Sequence, residues 1–271
     1  MYADLIPALR CPACAAGSLE LLGAIEEAGA IVAGALRCVA CGDQSPIIDG
    51  VWDTLHDRWL PARPAQLVNY LPLTARVYEP LWRWRALSLM SGERLALADE
   101  LRWLREALDP QPGEVYVDVA CSAGLYARAL ATPGAIVAGV DHAWSFVREA
   151  RRRAMSHGLR VSYIRGSAQM LPFADGAVAG AAMGGSLNEI GDQARAIHET
   201  RRILRADGRF FCMSLVRAES GWGRLLQRAL SSGGIVFPSV ERTNQWFAEA
   251  GFESLKQWRR RVVLFSLLRA V

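Results

Sequence analysis

Glu114-Val115-Tyr116-Val117-Asp118-Val119-Ala120-Cys121-Ser122-Ala123-Gly124 reads as a short, largely apolar strand with an acid near its end, followed by a turn of small residues. An apolar run of this kind predicts a buried parallel strand. Small residues at a strand-to-helix turn let the backbone come close to a ligand. A helical stretch, 125–130, follows, and a second strand, 135–140, ends in Asp141. The two acids are separated by 141 − 118 = 23 residues, close to the ~20-residue offset at which an acid meets a ribose hydroxyl pair in dinucleotide-type folds.

The turn distinguishes between ligands. A dinucleotide site wants three glycines and a helix N-terminus aimed at a pyrophosphate. Here the turn has one glycine, Gly124, and it follows an acid at the strand tip. A carboxylate there repels phosphate and suits a cation. S-adenosylmethionine (SAM) carries such a charge, and its α-amino group is a fitting partner for Asp118, directly or through water.

Outward from this segment, Arg165-Gly166-Ser167-Ala168-Gln169-Met170-Leu171-Pro172-Phe173 follows a further strand-like stretch. A strand at 177–183 runs into Gly184-Gly185-Ser186-Leu187-Asn188-Glu189. A helix over 193–204 leads through Leu204-Arg205-Ala206-Asp207-Gly208 into a strand at 210–215, and Gly251-Phe252 opens a final strand pair ending at 262–269.

In that order the motifs resemble the class I SAM-dependent methyltransferases, especially the type 11 group that contains the ubiquinone and menaquinone C-methyltransferases. The resemblance covers residues 76–271 and implies an α/β fold, a Rossmann-like seven-stranded doubly wound sheet. It implies that Asp118, Ala120, Cys121, Ser122 and Gly124 hold the methionine end of SAM. Asp141, with His142 beside it, would take the ribose. Ser167, Ala168 and Gln169 would frame the adenine, and Gly184 opens the segment beneath the methyl group. The chain departs from the family at three places: Ala120 and Ser122 replace glycines, and Ser167 stands where an aspartate is usual.

Ahead of this domain, Cys11-Pro12-Ala13-Cys14 and Cys38-Val39-Ala40-Cys41-Gly42 are separated by 23 residues. Two such knuckles supply four thiolates for one tetrahedral Zn²⁺. A closed four-sulfur shell leaves no position for water or substrate, so the expected zinc is structural. Cys11, Cys14, Cys38 and Cys41, followed by Pro46-Ile47-Ile48-Asp49-Gly50-Val51, resemble the small zinc ribbon related to methyltransferase-activator proteins. The expected layout is a ribbon over 1–55, a linker over 56–75 carrying Pro61, Pro64 and Pro72, and a methyltransferase domain over 76–271. That domain begins with two helices, from about Arg76 and over 93–108, and contains an insertion at 216–240. Trp82, Trp84 and Trp103 in the helices, and Trp222, Leu225, Leu226, Leu230, Val236 and Phe237 in the insertion, read either as core or as the wall of an apolar substrate pocket.

Composition narrows the setting. The chain has 271 residues, 52% hydrophobic, with a formal net charge of +4. No apolar run reaches the ~18–20 residues of a membrane span, no signal peptide is evident, and paired cysteines fit a reducing compartment. A cytoplasmic protein is expected. Three functions are open: methyl transfer to a small hydrophobic or aromatic acceptor such as a quinone, lipid or polyketide; methylation of an rRNA base; or a SAM-binding scaffold without catalysis. The second is raised by a resemblance to a bacterial large-subunit rRNA guanine methyltransferase, where a ribbon precedes the same domain and helps grip RNA. Against it, Arg37 is the sole basic residue between Cys11 and Cys41. His142, Asn188, Glu189 and His198 are polar, but no pair has spacing diagnostic of a general base, and no catalytic residue is assigned.

Overall fold

The protein is described from a computed structural model, over residues 1–15, 18–55, 75 and 96–271. The linker and the first expected helix, with Trp82 and Trp84, lie outside the described residues, Ala75 excepted. Four strands come first: β1 (Leu19–Glu27), β2 (Ala30–Cys38), β3 (Gln44–Ile48) and β4 (Val51–Asp53). Helix α1 (Leu97–Leu108) leads into β5 (Val115–Val119), α2 (Leu125–Leu130), β6 (Ile136–Asp141), α3 (Trp144–Ser156), β7 (Ser162–Arg165) and β8 (Val178–Gly184). There follow α4 (Gln193–Ile203), β9 (Leu204–Leu215), α5 (Gly221–Ser231), α6 (Val240–Glu249), β10 (Phe252–Arg260) and β11 (Val263–Ala270).

All these strands belong to one sheet, ordered β1-β2-β3-β4-β7-β6-β5-β8-β9-β11-β10. The run from β7 to β10 is the expected seven-stranded unit. Its pairs are parallel from β7 through β9, and β11 is antiparallel to both β9 and β10. Strands β5 and β6 are almost wholly buried, as strands covered by helices on both faces must be. Chain order reverses between β5 and β8, and ligands of open α/β sheets bind outside the carboxyl ends of the strands at such a switch point.

The cysteine-bearing segment extends this sheet. Strand β4 pairs in parallel with β7, Val51 opposite Tyr163 and Asp53 opposite Arg165. All three β4 residues are buried, and Ile31, Leu36, Ile47 and Trp52 share a core cluster with Val117, Val140 and Ile164. A segment of some fifty residues has too little volume for a core of its own; here it uses the core of the larger unit. The open edge that β7 would present is covered by the same pairing.

Two local readings are refined. The Leu204–Gly208 turn expected before a strand is part of β9, as a bulge beside Val178 and Gly180, with Asp207 at φ 61°; aspartate tolerates that left-handed conformation better than most residues. Trp103 packs edge-on against Trp258 and Phe265, both with ring centroids at 5.5 Å. Of its two readings, core is the one the structure takes.

Candidate active site

The carboxyl ends of β5, β6 and β7 and the turn after β8 surround a cleft of about 530 Å³, its open mouth included. Ala120, Ser122, Asp141, His142, Ser167, Ala168 and Gln169 line it, together with Val140, Gly166, Ser186, Glu189 and Ile190. Its lining carries two acids and, among the described residues, no arginine or lysine, a balance that favours a cation over a pyrophosphate.

The turn after β5 keeps the glycine backbone without the glycines. Ala120 lies at φ 53°, Ser122 at 47° and Gly124 at 74°. A side-chain-bearing residue in the left-handed region costs about 1–2 kcal/mol, so the fold holds Ala120 and Ser122 there against their preference. The constraint is visible: Cys121 N donates to Val140 O at 2.9 Å, Gly124 N to Cys121 O at 2.8 Å, and Ser122 N to Asp141 Oδ2 at 2.9 Å. Gly124 itself cannot be replaced by a larger residue, because a Cβ would stand 2.6 Å from Tyr163 Oη and 2.9 Å from Ala150 Cβ.

Asp141 is buried at the tip of β6. Oδ2 accepts from Ser122 N and Oδ1 from Ala143 N at 3.0 Å. A carboxylate offers about four acceptor positions, so two remain for a ribose hydroxyl pair. Imidazole Nδ1 of His142 is 3.5 Å from Asp141 Oδ1. On the far wall, Ser167 Oγ accepts from Gln169 N at 3.2 Å and Ser186 Oγ donates to Ala120 O at 2.9 Å.

Four residues expected at the cofactor lie outside the cleft lining. Asp118, 2% exposed, accepts from Ala127 N at 2.8 Å through Oδ2. It caps α2 from below, where the N-cap residue Gly124 has no side chain to do so. The acid at the end of β5 thus serves the helix through this oxygen. Cys121 turns its thiol into the core beside Gly139, and burial, with the charges of Asp118 and Asp141, pushes that thiol well up. Gly124 faces Tyr163 and Ala150, and Gly184 sits in the sheet opposite Met213. Of the residues missed, Gly166 had a signal, a glycine at a strand end. A Cβ there would meet Thr54 Oγ1 and Val140 Cγ1 at 3.1 Å.

The polar residues near the cleft sort by their partners. Asn188 is buried; Nδ2 donates to Leu215 O and Val236 O at 2.6 Å, and Oδ1 accepts from Leu215 N at 2.8 Å. It is a clamp between the turn after β8 and the insertion. His198 is exposed on α4. Glu189 alone of the acids on this turn reaches the cleft. In the insertion, Val236 N donates to Asn188 O at 2.9 Å, which lays the segment beside the cleft. Trp222, 78% exposed, and Leu225 and Leu226 are turned to solvent.

The four cysteines also converge. Their sulfurs all lie within 4.8 Å of one another, with Cys11 to Cys41 and Cys14 to Cys38 both at 3.7 Å. Four sulfurs at ~2.3 Å around one zinc stand about 3.8 Å apart, so the donor set and spacing fit that ion.

Comparison with known proteins agrees with this geometry. Residues 117–212 match a family described as a methyltransferase domain. The demethylmenaquinone methyltransferase of Corynebacterium kroppenstedtii is 28% identical over 171 residues, 61% of this chain and 70% of that protein. Among solved structures, the (4+2)-cyclase SpnF aligns with a TM-score of 0.59 at 19% identity, over 78% of this chain and 97% of its own. A chain from the complex of the Haloferax volcanii Trm112 methyltransferase activator with a putative methyltransferase aligns at 0.53 and 19% identity, over 64% and 90%. The two structures show the fold alone. Sheet order, switch-point cleft and family match agree: the chain carries a methyltransferase domain, matched over residues 117–212, with the fold of the SAM-dependent methyltransferases.

Proposed function

We propose that this protein methylates a small hydrophobic or aromatic acceptor, that the cleft at the ends of β5, β6 and β7 and the turn after β8 holds SAM, and that the four cysteines hold a structural zinc. The observation that carries the reading is the retained left-handed turn at Ala120, Ser122 and Gly124 tied to Asp141. Residues held in the left-handed region by the surrounding structure recur at ligand clamps, and these two border the switch-point cleft.

SAM supplies an activated methyl group on a sulfonium, transferred by in-line displacement. The residues of the chain then have to align and desolvate the reactants. Asp141 takes the ribose hydroxyls through its two remaining acceptor positions. Ser167, Ala168 and Gln169 border the adenine, and Ser167 Oγ can accept from the adenine amino group. Ser186 and Glu189 border the opposite wall, on the side from which an acceptor approaches. The demethylmenaquinone methyltransferase relative supports a quinone-like acceptor. Arg37, the ribbon's one cation between the cysteine pairs, is spent on Glu20 at 2.7 Å, which speaks against RNA phosphates as the ribbon's target.

Turnover with radiolabelled SAM against a panel of quinols, phenols and rRNA fragments tests the reading. Transfer to an aromatic small molecule is expected. Transfer to RNA alone, or no SAM binding by calorimetry, would refute it.

A further inference from the structure

Asp53, Arg165 and Asp141 stand side by side on three neighbouring parallel strands, Asp53 opposite Arg165 and Arg165 opposite Asp141. The middle residue is held by the outer one that belongs to the cysteine segment. Arg165 Nη1 donates to both carboxylate oxygens of Asp53, at 3.1 and 3.0 Å, and each side chain is 6% exposed. Arg165 Nε donates to the carbonyl of His142 at 3.2 Å, and its guanidinium lies 5.3 Å from the Trp144 ring. Beside them, Thr54 N and Oγ1 donate to Arg165 O at 3.0 and 2.8 Å, and Gly166 N donates to Asp141 O at 3.0 Å.

The geometry points to Asp53 and Arg165 as a positioning pair through which the cysteine ribbon sets the cofactor cleft, an inference that rests on the assignment of that cleft to SAM. Two physical arguments support it. A buried guanidinium needs a carboxylate, and it has a choice of two, one on each adjacent strand. Asp53 satisfies it and so leaves Asp141 available to a ribose. The remaining Nε–H, fixed in direction by that pairing because guanidinium is planar, then holds the carbonyl of the 141–143 turn, on which Asp141 and His142 are carried.

Calorimetric titration of full-length, zinc-loaded protein with SAM tests the proposal, with thermal unfolding and zinc content measured in parallel. Asp53→Asn is expected to weaken SAM binding about tenfold or more, through misplacement of Asp141 and competition for it. Arg165→Lys keeps the charge but loses the Nε–H to the His142 carbonyl, and serves if Asp53→Asn does not fold; it is expected to weaken binding by a similar factor. Ser45→Ala is the control: it removes the 2.7 Å partner of the Trp52 indole inside the same ribbon. It should lower the melting temperature and leave SAM affinity within about twofold. Unchanged affinity in both Asp53→Asn and Arg165→Lys, or an equal loss in Ser45→Ala, would overturn the proposal while leaving the cleft assignment intact. Absence of SAM binding by the wild type removes both.

Discussion

Ser122 N donates to Asp141 Oδ2 at 2.9 Å, so the residue that stands for a glycine in the turn after β5 is fastened to the acid that ends β6. The two halves of the cleft floor are one unit, and a change to either should be felt by the other.

Asp141→Asn should reduce SAM affinity by about tenfold to a hundredfold, because a hydrogen bond to a charged acceptor contributes roughly 1.5–3 kcal/mol. Calorimetry reads the change. Asp141→Ala should lose more affinity and also stability, since Ser122 N and Ala143 N both lose their acceptor.

Ala120 can be tested in both directions. Ala120→Gly relieves the left-handed strain and should leave stability within about 1 kcal/mol of wild type or above it, the gain being offset in part by unfolded-chain entropy. Ala120→Val puts a β-branched residue at φ 53° and should cost more than about 2 kcal/mol. Urea titration decides; a stable Ala120→Val would contradict the backbone described.

Metal analysis should find one zinc per chain. Cys38→Ser should lose it and lower the melting temperature sharply, because the ion contributes folding free energy to a segment that shares its core with the sheet. Retention of zinc and melting temperature together in that variant would refute the four-thiolate site.

Acid should reach the protein partly through α3. Hydrogen bonds from Arg152, with Arg153 beside it, hold the Glu149 carboxyl down to about 2, against an ordinary 4.5. A carboxyl depressed in the folded state contributes stability that is fully present above its unfolded value and is lost as pH falls through the folded one. Between pH 4.5 and 2 the wild type should therefore lose melting temperature faster than Glu149→Gln, and parallel pH profiles would dismiss this contribution.

The legible part of this fold was the part written in runs. Val115–Val119 and Ile136–Asp141 announce buried strands by apolar continuity, and Asp141 by its distance from Asp118. Two cysteine pairs announced their own convergence. The helix-capping part of Asp118 left no mark, because an acid beside a small-residue turn looks the same in sequence whether or not it accepts from the following helix; Ala127 N, nine residues on, is the donor. The union of β4 with β7 left no local trace either, since three residues pair with a strand more than a hundred positions away. Arg165 looked like the first letter of a motif, and its value lies in a partner from the other end of the chain.

That union also changes how the enzyme can be controlled. A strand supplied by a separate protein is present only as often as its concentration allows, whereas β4 is tethered and its local concentration at the β7 edge is set by the chain itself. An outside strand would have to compete against that local concentration, and ribbon and cleft come in fixed one-to-one proportion because one chain carries both.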